Sequence, residues 1–329
     1  MALSNAFVAN HISQWAEALR SPYRPYREKW PSRLFHHAPV ENAAAILRDG
    51  NLRSRNDRLN TRTRDVAAAG VIDARTHAHD FGRLYFRPRT PTQYHIEGIR
   101  KPGECAHGEN AHAPILIMMI FDAHTVLTMD GVRFCDRNMQ LGHAVMGDTE
   151  DYFAAIPFDK VFHEGAIAGD RSIIEHRCAE VLVTSPMPLN GTLQWIYCRS
   201  DAERATLLYQ LGQDADRWKP LIQISDDLLV FEKSFVFVEK VSIDSKGVVA
   251  QFSPRRDLAA IDVQVSATDQ NGRPAIIFGN NALSARPAPP AHSWRFNAEL
   301  PDGQYLVQIR LEGHLAFSAL MTVGQDIFL

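Results

Sequence analysis

The stretch Arg177-Cys178-Ala179-Glu180-Val181-Leu182-Val183 sets one carboxylate among small, apolar and β-branched neighbours. That composition reads as a strand over Ala179 to Thr184, buried on one or both faces. An ionised carboxylate there is costly unless it is paired or opens into a cleft. Two bland arrangements meet that condition: an edge-strand Glu180 turned to solvent, or one paired with Arg177 or Arg199. In the third, Glu180 does chemistry, since perturbed ionisable groups gather at functional sites.

Upstream of this strand, apolar residues at helical spacing (Ile12, Trp15, Ala16, Leu19) predict a helix over 10–20 capped at Asn10, which prolines 22, 25 and 31 then break. Leu34-Phe35-His36 reads as a short strand ending at His36, and Val40 to Gly50 as a helix closed by Gly50. Leu52 to Arg64 is a long polar loop carrying Arg53, Arg55, Arg58, Arg62 and Arg64, of the kind that is functional or disordered. An alanine-rich helix is expected over Val66 to Arg75, a strand over Arg83 to Arg87 and a helix around Tyr94 to Ile99. Pro114 to Phe121 reads as a fully buried strand, Leu193 to Cys198 as another, and Asp201 to Leu211 as a helix. Strands and helices mix without strict alternation, which indicates an α+β domain.

After about residue 235 the pattern changes. Phe235–Ile243, Val248–Phe252, Ile261–Ala267, Ala275–Phe278, Trp294–Ala298, Tyr305–Leu311 and Ala316–Val323 alternate apolar and polar residues, separated by turn signals such as Asn271-Gly272 and Asp302-Gly303. That spacing predicts an all-β immunoglobulin-like sandwich without a cysteine pair. The organisation expected is a helical extension at 1–31, an α+β domain at 32–233 and the sandwich at 234–329.

A net charge of −3 argues against a generic nucleic-acid coat, yet the arginines from Arg48 to Lys101 supply a local basic stretch. Four separated cysteines suggest reduced thiols, and the N-terminus lacks the basic start and apolar run of a signal peptide. With no apolar run near the ~20 residues of a membrane span, a cytoplasmic protein without membrane contact is expected.

Two further segments concentrate chemistry. Around His36, Glu41 and Asn42 open a helix just after a strand, and the free N–H groups of such a junction suit a phosphate or a carboxamide. The plainer alternative is that Glu41 and Asn42 cap the helix and His37 is exposed. In Arg83 to Tyr94, Tyr85, Phe86 and Tyr94 interleave with Arg83, Arg87 and Arg89, as if to stack a ring and hold phosphate. An ordinary strand with outward arginines and inward aromatics has the same pattern. His77 and His79 have no third partner placed, so no metal is expected. No GxSxG, P-loop or GxGxxG pattern occurs.

Together these segments resemble the DarT family of DNA ADP-ribosyltransferase toxins. The resemblance rests on FHH-x3-EN-x3-ILR-x-G at 35–50, VIDAR at 71–75, YFRPRTPTQY at 85–94 and RCAEVLV at 177–183, in family order, and covers about residues 32–230. It implies a diphtheria-toxin-like ADP-ribosyltransferase fold and NAD+ as co-substrate. It places His36 and Asn42 on the nicotinamide side, with Arg48, Tyr85, Phe86 and Tyr94 completing the NAD+ site. Arg75 and Glu180 become the catalytic pair, and Arg55, Arg83 and Arg89 contact the target. Breaking a nicotinamide–ribose bond develops positive charge on the sugar, which a fixed carboxylate stabilises, and the same group can deprotonate a nucleobase nitrogen.

Cys178 stands two residues before Glu180, on the same face of a strand. Arginine-modifying transferases of this fold usually carry Glu or Gln there, so the resemblance favours a nucleobase in single-stranded DNA, or RNA. A toxin of this kind implies an antitoxin partner or a role in phage defence. The rival expectations are ADP-ribosylation of a protein, and an inactive NAD+- or nucleic-acid-binding module. The C-terminal sandwich lies outside the resemblance, so its role stays open between antitoxin docking, phage-protein sensing and oligomerisation.

Overall fold

A computed structural model describes residues 2–61, 63–64, 76–101, 103–105, 108, 111–139, 141–255, 257, 259–285 and 293–324. Its centre is a seven-stranded sheet in the order β5-β6-β3-β1-β4-β8-β9. The strands are β1 Arg33–Pro39, β3 Phe81–Tyr85, β4 Leu116–Asp122, β5 Arg133–Cys135, β6 Glu180–Thr184, β8 Leu193–Tyr197 and β9 Ile222–Gln223. All pair antiparallel except β8 and β9. A two-stranded ribbon, β2 Asn51–Leu52 with β7 Met187–Pro188, sits beside it. β4 is buried on both faces from Leu116 to Phe121, as its unbroken apolar run requires.

Several elements begin elsewhere than expected, each for a local reason. The first helix runs Asn5–Ala18, five residues ahead of Asn10, because the Ser4 hydroxyl caps it by accepting from Phe7 N. β1 extends through Pro39, so His36 lies in mid-strand opposite Met119. The third strand ends at Tyr85, and the next helix is Pro91–Ile96, begun by the Thr90 hydroxyl with proline in its first turn. Gly50 closes the helix Val40–Asp49 at φ 71°, a conformation cheap only for glycine. Cys178 lies in the turn before β6, so strand alternation does not relate it to Glu180. The expected helix over 66–75 falls outside the described residues.

The N-terminal segment belongs to the same core as the sheet. Trp30 is fully buried, donates its indole N–H to Leu228 O at 2.9 Å and lies 5.1 Å from the Arg87 guanidinium.

All seven expected C-terminal strands are present: β10 Val238–Asp244, β11 Gly247–Phe252, β12 Ile261–Asp269, β13 Pro274–Leu283, β14 Trp294–Asn297, β15 Gly303–Leu311 and β16 His314–Val323. They form sheets β10-β11-β14 and β13-β12-β15-β16, whose inward residues, Val248, Phe296, Val263 and Ile309 among them, share one core. The helix Asp201–Leu211 joins this core to the rest: Ala202 packs into it, and Thr206 Oγ1 accepts from Ser318 N at 3.1 Å. Ser200 caps that helix and donates to Val238 O at 2.6 Å. Ser200→Ala is therefore expected to cost about 1–2 kcal/mol, a cap loss at the high end because two bonds go at once; urea denaturation measures it. Among the described residues no helix is long and apolar enough to cross a membrane.

Candidate active site

Pairing between β3 and β6 places Glu180 opposite Tyr85, and β1 places Phe35 opposite Tyr85 on the other side. Two residues on from Phe35, and so on the same face, His37 lies parallel to the Tyr85 ring at 3° and 5.2 Å between centroids. Arg83, two residues before Tyr85, brings Nη1 to 3.8 Å from Glu180 Oε1. Glu180, Tyr85, Arg83 and His37 thus form one connected group across three strands.

This group adjoins a cavity of about 460 Å³. His37, Arg83, Tyr85, Thr92, His95 and Asn138 contribute to its wall, with Asn42, Arg55 and Arg64 from the arginine-rich loop side. Glu180 itself is fully buried behind that wall. Its Oε2 accepts from Met139 N at 3.1 Å, while Oε1 accepts no hydrogen bond. Burial raises the Glu180 pKa above the ordinary glutamate value; Arg83, the Met139 N–H and Tyr85 pull the other way and lose. The expected partners are engaged elsewhere: Arg199 pairs with Glu203, and Arg177 binds the His163 backbone.

Burial favours the neutral form of both histidines. Burial lowers the His36 pKa, opposed only by its bond to the Arg83 backbone, and lowers His37 to about 3 with His36 adding to the effect. His36 Nδ1 lies 2.9 Å from Arg83 O, so Nδ1 donates and Nε2 is left as an acceptor. His37, expected to be exposed in the plainer alternative, instead supplies the stacked ring.

Asn42 does not cap its helix; the cap position is Pro39, without a side-chain bond. Its amide accepts from Thr63 N (3.0 Å) and Arg64 N (2.9 Å) and donates to Arg64 O (2.6 Å). It therefore pins the end of the arginine-rich loop, which brings Arg64 to the cavity.

Other expected residues go elsewhere. Phe86 alternates away from Tyr85 into the core, edge-on to Phe153 and Phe158. Tyr94 is exposed, and helical phase gives its place at the cavity to Thr92 and His95. Arg48 donates to Gln210 O at 2.8 Å, on the outer side of its helix. Arg89 pairs with Glu164, away from the cavity. Arg55 and Arg83 do line it, and Arg75 lies outside the described residues. His37, Arg64, His95 and Met139 were not anticipated. Proximity to His36 and to the arginine run were signals for the first two; nothing local distinguishes Met139. Among the described residues no three metal-ligating side chains converge.

Residues 35–229 match the family model described as DarT, ssDNA thymidine ADP-ribosyltransferase. Among solved structures, Thermus sp. 2.9 DarT in complex with ADP-ribosylated ssDNA is 22% identical, covering 60% of this chain and 96% of its own, with a TM-score of 0.48. The same protein in complex with carba-NAD+ is 23% identical, covering 60% and 97%, at a TM-score of 0.48. Thermosipho africanus DarTG in complex with ADP-ribose is 17% identical, covering 60% and 51%, at 0.42. No curated protein matches.

Proposed function

The chain belongs to the DarT family of ssDNA thymidine ADP-ribosyltransferases, and on that premise we propose that it moves ADP-ribose from NAD+ to a thymidine base of single-stranded DNA, using Glu180. One observation carries the assignment of the residue. The fully buried Glu180 is joined through Arg83 and Tyr85 to the wall of a large cavity, with no hydrogen bond on Oε1.

The cavity lining suits the co-substrate. His37 and Tyr85 offer stacked ring surface beside Ile96 for the nicotinamide, and Arg55 and Arg64 offer charge for the pyrophosphate. Bound NAD+ supplies a nicotinamide–ribose bond whose cleavage builds positive charge on the sugar. Glu180 answers that charge and accepts the proton of the base nitrogen. For Glu180 to touch either group, the cover at Met139 has to lift, which also returns the carboxylate to a more polar setting. His36 and Asn42 also line the cavity, and their bonds hold Arg83 and the Thr63-Arg64 segment in place. Arg75 keeps its role as the second catalytic residue on the resemblance alone.

The finer fold assignment follows the same reading: an N-terminal extension at 1–31, a diphtheria-toxin-like transferase domain at 32–233 and an immunoglobulin-like sandwich at 234–329. The cell biology is that of a cytoplasmic toxin restrained by an antitoxin, or of a phage-defence protein.

The test offers biotinylated NAD+ with thymidine-containing ssDNA, the same strand lacking thymidine, RNA and a protein mixture. Label and a mass increment of one ADP-ribose are expected on the thymidine strand only. Label confined to protein, or to RNA, overturns the assignment.

A further inference from the structure

Four arginines converge on one carboxylate outside the cavity, with a fifth beside them. Arg24 and Arg27 come from the N-terminal segment, Arg87 and Arg89 from the chain following β3, and Arg177 from the turn before β6. Glu164 faces Arg24 Nη1 at 3.7 Å, Arg27 Nε at 3.8 Å and Arg87 Nη2 at 4.0 Å, and pairs closely with Arg89. Tyr26 donates its hydroxyl to Glu164 Oε2 at 2.8 Å. Arg177 flanks the group by donating to the carbonyls of His163 and Gly165. A further carboxylate, Glu232, also acts on Arg87 and Arg177.

Such an excess of positive charge is unfavourable in isolation. Burial, and then Arg177, Arg89 and Arg27, push the Arg87 pKa down to about 9. Arg89 holds a left-handed backbone, φ 53°, which a side chain rarely adopts without a constraint. Its N–H is bound by Gln93 Oε1 at 2.8 Å, yet Arg89 Nε and Arg27 Nε are buried without hydrogen-bond partners. A purely structural role explains Arg87 and Arg177, which bind the carbonyls of Val161, His163 and Gly165. It does not explain why Arg24 and Arg89 are added to them, nor the two unused donors.

We propose that this cluster is a seat for a backbone phosphate of the single-stranded DNA, and that Glu164 occupies it in the free protein. This rests on the reading that the chain acts on ssDNA. A phosphodiester offers several acceptor oxygens to planar guanidinium forks, a better match to four guanidinium groups than one carboxylate. Glu164 can leave because it starts an exposed loop, with Gly165, Ala168 and Gly169 at positive φ. The seat lies outside the cavity but a few residues along the chain from its wall. Arg89 lies two residues before Pro91 and three before Thr92, both on the cavity wall, and Thr92 Oγ1 is 3.8 Å from the sulfur of Cys178, the neighbour of Arg177. Arg24 and Arg27 lie outside the matched residues 35–229, so this part of the strand path belongs to the chain's own N-terminal segment.

The experiment is fluorescence anisotropy of a labelled thymidine-containing ssDNA with the full chain, without NAD+, across a salt series. Glu164→Gln removes the internal occupant's charge, and is expected to tighten binding about tenfold at low salt. Arg24→Gln, on a side chain 43% exposed and so safe for folding, is expected to weaken binding several-fold. It should also lower the slope of log Kd against log salt by about 0.7, one phosphate contact on a single strand. NAD+ affinity, measured by calorimetry, should change for neither. Unaltered DNA binding in Arg24→Gln overturns the seat, as does a loss confined to NAD+, which would assign the arginines to the pyrophosphate. Wild-type protein that binds no ssDNA overturns the proposed function as well; wild-type binding with both variants indifferent overturns the seat alone.

Discussion

Glu180→Gln is expected to reduce ADP-ribosyl transfer by about 10³-fold or more while making the protein more stable at neutral pH. The activity loss follows from the two roles of one carboxylate, each of which typically contributes about 10²–10³-fold or more. A neutral amide answers no positive charge and accepts no proton. The stability gain follows from the same burial: native Glu180 keeps its proton to a higher pH than ordinary glutamate. A carboxyl whose folded pKa is raised lends stability fully present below the unfolded pKa, and that stability is lost as pH rises through the folded value. At neutral pH the unfolded wild type ionises this group more readily than the folded protein does, a bias toward unfolding that the Gln variant lacks, on the order of 1–3 kcal/mol or a few degrees in Tm. Below about pH 4.5, the ordinary glutamate value, the two melting curves should converge. The acid limb of kcat/KM should fall above that value, because the group must be ionised to act. Calorimetry across pH and the oligonucleotide assay measure both; a Gln variant that retains transfer removes Glu180 from the mechanism.

Such a residue is legible in sequence because the surrounding strand is unambiguous. Val181, Leu182 and Val183 can hardly be placed anywhere but inside, so a carboxylate next to them stands out. What stands opposite it is not legible. The pairing of Glu180 with Tyr85 joins residues 95 positions apart, and nothing local specifies that register. The same limit separates Tyr85 from Phe86: both are aromatic, and a single step along a period-two strand sends one to the cavity and the other to the Phe153 cluster. In the helix Pro91–Ile96, a shift of one residue replaces Tyr94 by His95, because side-chain type does not report helical phase. Arginines are the hardest case. Arg48 and Arg89 sit in a basic segment, but long side chains reach partners set by the fold, here Gln210 and Glu164. The seven C-terminal strands were legible throughout because alternation and turn residues are local signals.

Glu180 lies fully buried behind the cavity wall. The wall near it comes from Arg83 and Tyr85, fixed in β3, and from Asn138, in a segment outside the sheet whose next residue, Met139, binds Glu180. Lifting that segment removes an N–H bond from the carboxylate and admits solvent. Those effects oppose each other on the pKa, and desolvation is the larger in the closed form. On the proposed function, substrate that displaces Met139 would change both access to the carboxylate and its ionisation.

Asn42→Ala is expected to raise KM for NAD+ by about 100-fold with a much smaller change in kcat. Among the described residues, three hydrogen bonds of the Asn42 amide go to the backbone of Thr63 and Arg64, the loop end that carries Arg64 to the cavity. Each buried bond is worth about 1 kcal/mol net, so losing the set frees the loop by ~3 kcal/mol, and every 1.4 kcal/mol in binding is tenfold. The proposed reacting group, Glu180 with Tyr85 and Arg83, lies in the sheet rather than in that loop. A residue that positions a binding loop thus moves KM, whereas one that acts on the transition state moves kcat. Asn42→Asp sharpens the test, because a carboxylate still accepts from Thr63 N and Arg64 N but cannot donate to Arg64 O. It should fall between wild type and alanine. Steady-state kinetics at varied NAD+ decide the matter: equal losses of kcat and kcat/KM in Asn42→Ala would place Asn42 at the reacting bond rather than behind the loop.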